Sequence, residues 1–205
     1  MPHMDGGRFF VRPMNLADTD TLFDWLQDLD DLALFDRTLT IPPGKDALRE
    51  AWKPELAGGA CPTAFWFAVE TGSSVMVAIG GLQSVNYAHG DAVMPIIVAK
   101  AARGGGLGLR IASLLLDLAF DRLRLRRVTT FFRADNERTA RLVRRVGFTE
   151  EGRMRKAWLV DGGYVDSIVV GLLREEWQAH RQVLRTELDG RLTLTFGRAE
   201  SGPVA

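Results

Sequence analysis

One segment, residues 93–118, restricts the possible folds of this chain more than any other. The apolar run at residues 93–98 predicts a buried strand, and a glycine-rich stretch follows at residues 103–108. A helical pattern begins directly after it, with apolar residues three and four positions apart as far as Leu118. A strand, a glycine turn and a helix start bring several unpaired backbone N–H groups together, which suits a phosphate. We therefore expect the chain to bind a nucleotide-like cofactor.

The glycine segment does not identify its ligand by itself. No Lys-Ser or Lys-Thr pair follows Gly108, so the segment is not a P-loop. No acidic residue ends a second strand at the distance expected of a dinucleotide-binding fingerprint. Because a glycine-rich connection between a strand and a helix also occurs as a simple tight turn, a second signal is needed.

Length and charge exclude several classes of protein. With 205 residues, of which 46% are hydrophobic, the chain suits one domain with a substantial core. The 26 basic and 26 acidic residues cancel, so no net charge draws the chain to nucleic acid or to an anionic membrane. No apolar run reaches about 18 residues, and a membrane-spanning helix is therefore not expected.

Cysteine and histidine give no sign of a disulfide or a metal centre. The single cysteine, Cys61, cannot form an internal disulfide, which favours a reducing, cytoplasmic location. No secretion signal is recognisable at the N-terminus, in agreement with that location. The three histidines lie far apart without ligand spacing, so no metal is expected.

Strand and helix patterns alternate along the chain. Asp18 is placed to cap a first helix that carries Leu22, Trp25, Leu26 and Leu29 on one face. Further helices are predicted at residues 46–56, from 107 onward, after 136 and at 175–184, and strands at 9–12, 65–69, 75–84, 93–98, 128–132, 148 onward, 165–173 and 192–194. This order predicts a mixed α/β fold, of the α+β type with a mixed sheet.

The second signal lies one strand beyond the glycine segment. There a polar residue starts a helix that closes at a Gly-Phe pair. Together the two segments resemble the cofactor motifs of the GNAT superfamily of N-acetyltransferases. The first motif, Arg/Gln-x-x-Gly-x-Gly/Ala, and the second, Asn-x-x-Ser/Ala with a later Gly-Phe, correspond to Arg103, Gly106, Gly108, Asn136, Thr139, Gly147 and Phe148.

Flanking residues resemble the branch that contains the ribosomal-protein-alanine acetyltransferases, also called RimJ/RimL-like. They are Phe10-Val11-Arg12-Pro13, Asp18, Trp25, Glu151-Gly152, Gly163-Tyr164, Asp166 and Glu176-Trp177. The resemblance covers about residues 8–178, which we take as an N-acetyltransferase domain. Residues 179–205 would then form a C-terminal extension.

The resemblance implies a single-domain GNAT fold with a central, mostly antiparallel, twisted sheet and helices on both faces. The sheet would splay between its fourth and fifth strands, at residues 93–98 and 128–132, and hold acetyl-CoA in the gap. Amide-rich pantetheine would pair with the freed strand, and the diphosphate would rest on the glycine turn. The implied cofactor-binding residues are Ile96, Ile97, Val98, Arg103, Gly104, Gly105, Gly106, Leu107, Gly108, Leu109 and Asn136, with Arg141 and Arg144 for the 3′-phosphate.

Acetyl transfer requires an acid for the leaving thiolate and a neutral acceptor amine. Many GNAT relatives place an acidic tyrosine where this chain has Val143, and a glutamate base where it has Val93. The candidate acid is therefore Thr139, although its hydroxyl can equally bond to the preceding helical turn. Asp91 is the candidate base, because it shares a strand face with Val93 if the strand extends that far. Water is the alternative proton carrier.

The acceptor is expected to be a primary amine, with a protein N-terminal amine as one form. Asp24, Asp28 and Asp31 would form an acidic rim on the first helix, or else a solvated face. Trp52, Phe65 and Trp66 either line an apolar acceptor pocket or fill the core. Alternative functions are acetylation of a small amine (an antibiotic, a polyamine or an amino sugar) and acyl-CoA sensing without catalysis. A monomer or a homodimer is expected.

Overall fold

The strands of the molecule form one mixed sheet. The computed structural model describes residues 7–35, 37–188 and 193–197. Within those residues the strands are β1 (Arg8–Pro13), β2 (Phe65–Thr71), β3 (Met76–Asn86), β4 (Asp91–Val93), β5 (Ile96–Val98), β6 (Arg127–Arg133), β7 (Thr149–Val160), β8 (Gly163–Leu173) and β9 (Thr193–Phe196). The α-helices are α1 (Thr19–Trp25), α2 (Leu29–Phe35), α3 (Lys45–Leu56), α4 (Leu107–Asp117), α5 (Glu137–Val146) and α6 (Arg174–Leu188).

The order of the strands confirms the expected mixed, mostly antiparallel sheet. It runs β7-β8-β6-β4-β3-β2-β1-β9, with β5 paired to β3 alone. The pairs β4 with β6 and β1 with β9 are parallel, and the other pairs are antiparallel. A parallel pair needs a long crossover, and the connection from β4 to β6 supplies one through β5 and α4.

The expected splay lies within the predicted strand at residues 93–98, which the structure divides into β4 and β5. The parallel ladder between β4 and β6 ends where the Met94 N–H donates to the Thr129 carbonyl, 2.9 Å away. The next residue, Pro95, has no N–H to donate. Beyond it, β5 keeps its antiparallel pairing to β3 and leaves β6. A gap therefore opens in the middle of the sheet.

Hydrophobic cores lie on both faces of the sheet. One face packs against α4, α5 and α6, and the other packs against α1, α2 and α3. Helix α4 approaches β3 closely at Gly80, where an added Cβ would lie 2.8 Å from Ile111 Cγ2. Because β5 alternates its side chains, Ile96 and Val98 pack with the α4 core while Ile97 packs with the opposite one. The gap is thus bordered by helices on both sides.

The first predicted helix differs from the structure in two respects. It is broken into α1 and α2, and Leu29, expected on the buried face, is 62% exposed. Asp18 does not cap α1, because its carboxylate accepts hydrogen bonds from Arg12 and from the Asn15 N–H. Asn15 instead caps a short 3₁₀ turn that precedes the helix. The ion pair with Arg12 and the reciprocal bond with Asn15 therefore take the place of the predicted cap.

The predicted boundary between residues 178 and 179 falls inside α6. Leu184 and Leu188, beyond that boundary, are buried in the same core as α4. Further on, β9 pairs in parallel with β1, while Leu192, predicted to start this strand, lies outside the described residues. The described part of the C-terminal extension therefore packs onto the domain as the second half of α6 and as a ninth strand.

No helix within the described ranges is both long and apolar enough to cross a membrane. The same ranges contain no group of three or more His, Cys, Asp or Glu side chains able to hold a metal ion. Cys61 is a free, exposed thiol.

A buried ion cluster ties β1 and β2 to the start of α1. Arg12 donates to both carboxylate oxygens of Asp18 at 2.7 Å, and its Nε donates to Glu70 Oε1 at 2.8 Å. The hydrogen bonds to Asp18, with those to Glu70, raise the pKa of the Arg12 guanidinium above its usual value. Asp18 and Glu70 are 8% and 6% exposed, so their charges depend on Arg12 for compensation.

We expect Arg12→Met to lower the free energy of unfolding by about 3 kcal/mol, because two buried carboxylates lose the cation that they share. Urea unfolding followed by circular dichroism measures the change. Lys53→Met is the control, since Lys53 pairs with Glu50 on the exposed side of α3 and should cost no more than about 0.5 kcal/mol. Equal losses in the two variants would contradict the role given to Arg12.

Candidate active site

A cleft of about 540 Å³ occupies the gap between β5 and β6. Its lining comes from both faces of the sheet. From the face that carries α4 and α5 it includes Gly108, Asn136, Thr139, Leu142 and Val143, and from the opposite face Phe35, Leu48, Trp52, Glu55 and Trp66. The cleft therefore extends from one face of the sheet to the other.

The edge of β5 offers free main-chain groups to this cleft. The Pro95 carbonyl and the Ala99 N–H both bond to β3, so by the two-residue period the groups of Ile97 face β3 as well. The main-chain groups of Ile96 and Val98 then face the gap. The Val98 carbonyl accepts from Arg103 Nε at 2.8 Å. The Val98 N–H and both main-chain groups of Ile96 have no partner within the described ranges and are available to a ligand.

The glycine turn forms the expected cradle of donors. Within the described part of the chain, none of the backbone N–H groups of residues 104–108 donates a hydrogen bond. Gly106 precedes α4 with φ +86°, a left-handed conformation that favours glycine. At Gly108, an added Cβ would lie 3.0 Å from Leu142 Cδ1 and would enter the cleft wall. The free backbone N–H donors and the lack of side chains at the four glycines of this turn together fit a diphosphate.

Arg103 at the start of the turn is held by an acidic residue from the other side of the cleft. Its Nη1 donates to Asp31 Oδ1 at 2.6 Å, and both side chains are largely buried. Nearby, Lys100 Nζ lies 2.7 Å from Asp28 Oδ2, and this hydrogen bond lowers the pKa of the Asp28 carboxyl. Of the three acids expected to form an acceptor rim, Asp31 is thus paired at the start of the glycine turn and Asp28 just before it, whereas Asp24 is exposed.

Asn136 and Thr139 lie together at the start of α5. Asn136 Oδ1 accepts from the Thr139 N–H at 3.1 Å and so caps the helix, while its amide N–H groups have no partner among the described residues. The Thr139 hydroxyl is not bonded to the preceding turn, unlike those of Ser113 and Thr186, which donate to carbonyls four residues earlier. Both residues line the cleft, so each retains polar groups for a ligand.

Asp91 does not lie in this cleft. The structure extends β4 to Asp91, as expected, but the carboxylate borders a separate depression with His89, Arg126 and Arg127. Val93, two residues later, is where β4 reaches the cleft. Because each residue of a strand advances about 3.3 Å, Asp91 is set back toward the far end of the ladder. The hypothesis that Asp91 is the base is therefore corrected.

The remaining predicted cofactor residues surround the cleft without lining its wall. Leu107 and Leu109 are buried in the core under α4, so they can contribute only main-chain groups. Gly104 and Gly105 are exposed at the outer end of the turn. Arg141 and Arg144 are exposed on α5, where Arg141 lies 3.8 Å from Glu137 and Arg144 donates to the Ala140 carbonyl.

The structure adds residues that sequence patterns missed. Glu55 lines the cleft and accepts a hydrogen bond from Trp66 Nε1 at 3.0 Å. The sequence could have indicated Glu55 through its position three residues after Trp52, because residues three apart lie on the same face of a helix. Gln83, Thr130 and Arg37 also line the cleft and had no signal, because each comes from a different element.

Comparison with known proteins agrees with this geometry. The model of the acetyltransferase (GNAT) domain family matches residues 8–149. The chain belongs to that family.

Several known proteins share part of the sequence or the fold. A putative ribosomal N-acetyltransferase, YdaF, of Bacillus subtilis (strain 168) is 30% identical over 106 residues, 52% of this chain and 56% of that protein. Spermidine N(1)-acetyltransferase of Escherichia coli (strain K12) is 27% identical over 101 residues, 49% of this chain and 54% of that enzyme. The chain thus spans about half the length of the curated relatives it matches.

Among solved structures, spermidine N-acetyltransferase from Vibrio cholerae in complex with CoA and spermine shares the fold with a TM-score of 0.74. The two chains are 20% identical, and the match covers 83% of this chain and 98% of the other. This likeness confirms the GNAT fold.

We expect Gly106→Val to raise the Kd for CoA about 100-fold, equivalent to about 2.8 kcal/mol, because a side chain there distorts the turn that presents the free N–H groups. Isothermal titration calorimetry with CoA measures the change. Gly162→Val introduces comparable strain at φ +75° in the turn between β7 and β8, with open space around it, and should leave the Kd unchanged. Similar affinities in the two variants would refute this placement of the diphosphate.

Proposed function

We propose that the chain is an acetyl-CoA-dependent N-acetyltransferase that moves an acetyl group directly to a primary amine. The observation that carries the proposal is the cleft that passes through the sheet, with free main-chain donors toward α4 and an aromatic wall toward α3. Such a cleft lets a cofactor and an acceptor approach from opposite sides. Direct transfer follows from that arrangement, because the two ligands can meet without a covalent enzyme intermediate.

The cofactor-binding assignment rests on complementary groups along one side of the cleft. The N–H groups of residues 104–108 would hold the diphosphate, and the edge of β5 would pair with the amides of the pantetheine arm. The free amide donors of Asn136 would bind the same arm. Bound there, acetyl-CoA supplies an activated thioester. The exposed Arg141 and Arg144 remain candidates for the 3′-phosphate.

Polarisation of the thioester carbonyl is assigned to Ile96. Its N–H is the next main-chain donor after Met94 on the edge that faces β6, and the divergence of β5 leaves it unpaired. A fixed donor of this kind stabilises the negative charge that develops on the carbonyl oxygen during acyl transfer.

Proton transfer is assigned to Thr139 and to water. The Thr139 hydroxyl lines the cleft without a partner among the described residues, so it can donate its proton to the departing sulfur and regain one from water in the cleft. Val143 occupies the position of the tyrosine that serves many relatives, and it is only 3% exposed. With Asp91 outside the cleft, the ammonium proton of the acceptor passes to water in the open cleft.

The acceptor remains a primary amine of one of two kinds. Similarity to the putative ribosomal N-acetyltransferase favours a protein N-terminal amine, which is also the acceptor implied by the resemblance to the RimJ/RimL-like branch. Similarity to spermidine acetyltransferases favours a small polyamine. With either kind of acceptor, we expect the protein to be a monomer or a homodimer in the cytoplasm.

A thiol-release assay with acetyl-CoA and an amine panel tests the proposed function. The panel contains a peptide with a free N-terminal amine, spermidine, an aminoglycoside and an amino sugar. We expect turnover with at least one primary amine and an N-acetyl product of the expected mass. Binding of CoA without turnover on any amine would contradict the enzyme and favour the acyl-CoA sensor.

We expect Thr139→Ala to lower kcat about 100-fold while the Kd for CoA changes less than about threefold, because only the departing thiolate needs the hydroxyl. Steady-state thiol release and calorimetry measure the two quantities. Thr139→Ser, which keeps the hydroxyl, should retain most of the rate. An unchanged kcat in Thr139→Ala would assign the acid to water.

A further inference from the structure

The wall of the cleft toward α3 contains a carboxylate that has no ion pair with any described residue. Among the described residues, two carboxylates line the cleft, those of Asp31 and Glu55. Asp31 is neutralised by Arg103. Glu55 forms no ion pair with any residue in the described ranges, and its one hydrogen bond there comes from the neutral indole of Trp66. The Glu55 carboxylate therefore has no cationic partner among the described residues.

The surroundings of Glu55 are aromatic. Trp52 and Trp66 are each 7% exposed, and their rings meet edge to face with centroids 4.7 Å apart. The Trp66 N–H fixes Glu55 Oε2, whereas Oε1 has no hydrogen-bond partner in the described part of the chain. Aromatic rings beside a carboxylate attract a cation through both the ring quadrupole and the full negative charge.

The cationic side chains of the cleft are engaged elsewhere or lie on other elements. Arg103 is bound to Asp31, and Arg37 lies over the ring of Phe131 at 6.0 Å. Arg138 is exposed on α5, which packs on the opposite face of the sheet. A neutral glutamine would accept equally well from Trp66, so the hydrogen bond does not need the charge of Glu55. The charge is therefore available to a ligand in the cleft.

We propose that Glu55, with Trp52 and Trp66, binds a non-reacting cationic group of the acceptor and so selects amines that carry a second positive charge. This inference rests on the proposed acetyl transfer and adds the recognition of the acceptor. The reacting amine must be neutral to attack, so a charged carboxylate is better used on a second, distal ammonium group. Glu55 is accordingly a specificity-determining residue of the acceptor side.

Glu55→Gln tests the charge while keeping an oxygen to accept from Trp66. Two acceptors of matched length are compared, 1,4-diaminobutane and pentylamine, which differ by one ammonium group in place of a methyl group. We expect Glu55→Gln to raise the KM for 1,4-diaminobutane at least about 30-fold and to change that for pentylamine less than about twofold. Glu50→Gln, on the exposed side of the same helix, should change neither.

Calorimetric titration of 1,4-diaminobutane, without acetyl-CoA, separates this inference from the proposed function. Binding to the wild type that weakens in Glu55→Gln, with no turnover on any amine, would overturn the acetyl transfer and keep the cation site. Turnover of both amines with an equal loss in Glu55→Gln would overturn the cation site, because a merely structural role affects both acceptors alike. Equal KM values for both amines in the wild type would overturn it as well.

Discussion

The divergence of β5 from β6 is the constraint on which the rest of the structure depends. A parallel ladder ends at Met94, and Pro95 cannot supply the donor that would continue it. The pairing of β5 to β3 remains intact, so the strand stays ordered while its other edge is left without a neighbour. Unpaired main-chain groups inside a sheet are costly unless a ligand or water satisfies them. The gap is therefore both a defect in the sheet and a binding surface.

The two layers of helices give the gap its two different sides. On one face, α4 begins at a glycine turn and α5 begins at Asn136, so two helix starts with free donors border the cleft. On the other face, α2 and α3 contribute aromatic and acidic side chains. Arg103 and Asp31 join the two sides directly across the cleft. One side of the cleft is thus rich in N–H donors because two helices start there. The other side is aromatic and acidic because of the side chains that α2 and α3 contribute.

The sequence predicted most of what depends on local pattern. The glycine turn, the start of α5 at Asn136 and the position of Thr139 follow from residues close together in the chain, and the structure places all three at the cleft. Asp91, the candidate base, lies outside the cleft. Strand alternation predicts the face on which its side chain lies, but not the point at which β4 and β6 stop pairing. The prediction of a single first helix was also wrong, because the chain turns at residues 26–28, where Asp28 Oδ1 accepts from the N–H groups of Asp30 and Asp31 at the start of α2.

By itself the sequence determined the order of strands and helices of the mixed sheet, because that order depends on periodicity and short spacings, and the resemblance of two motifs to known ones indicated the GNAT family. Only the tertiary structure decided which charges remain available. Asp31 and Glu55 look alike as acidic residues on helices, yet a cation 72 positions away neutralises the first while the second meets a tryptophan. Pairing between distant segments leaves no local pattern, since the partners come together only when the sheet forms.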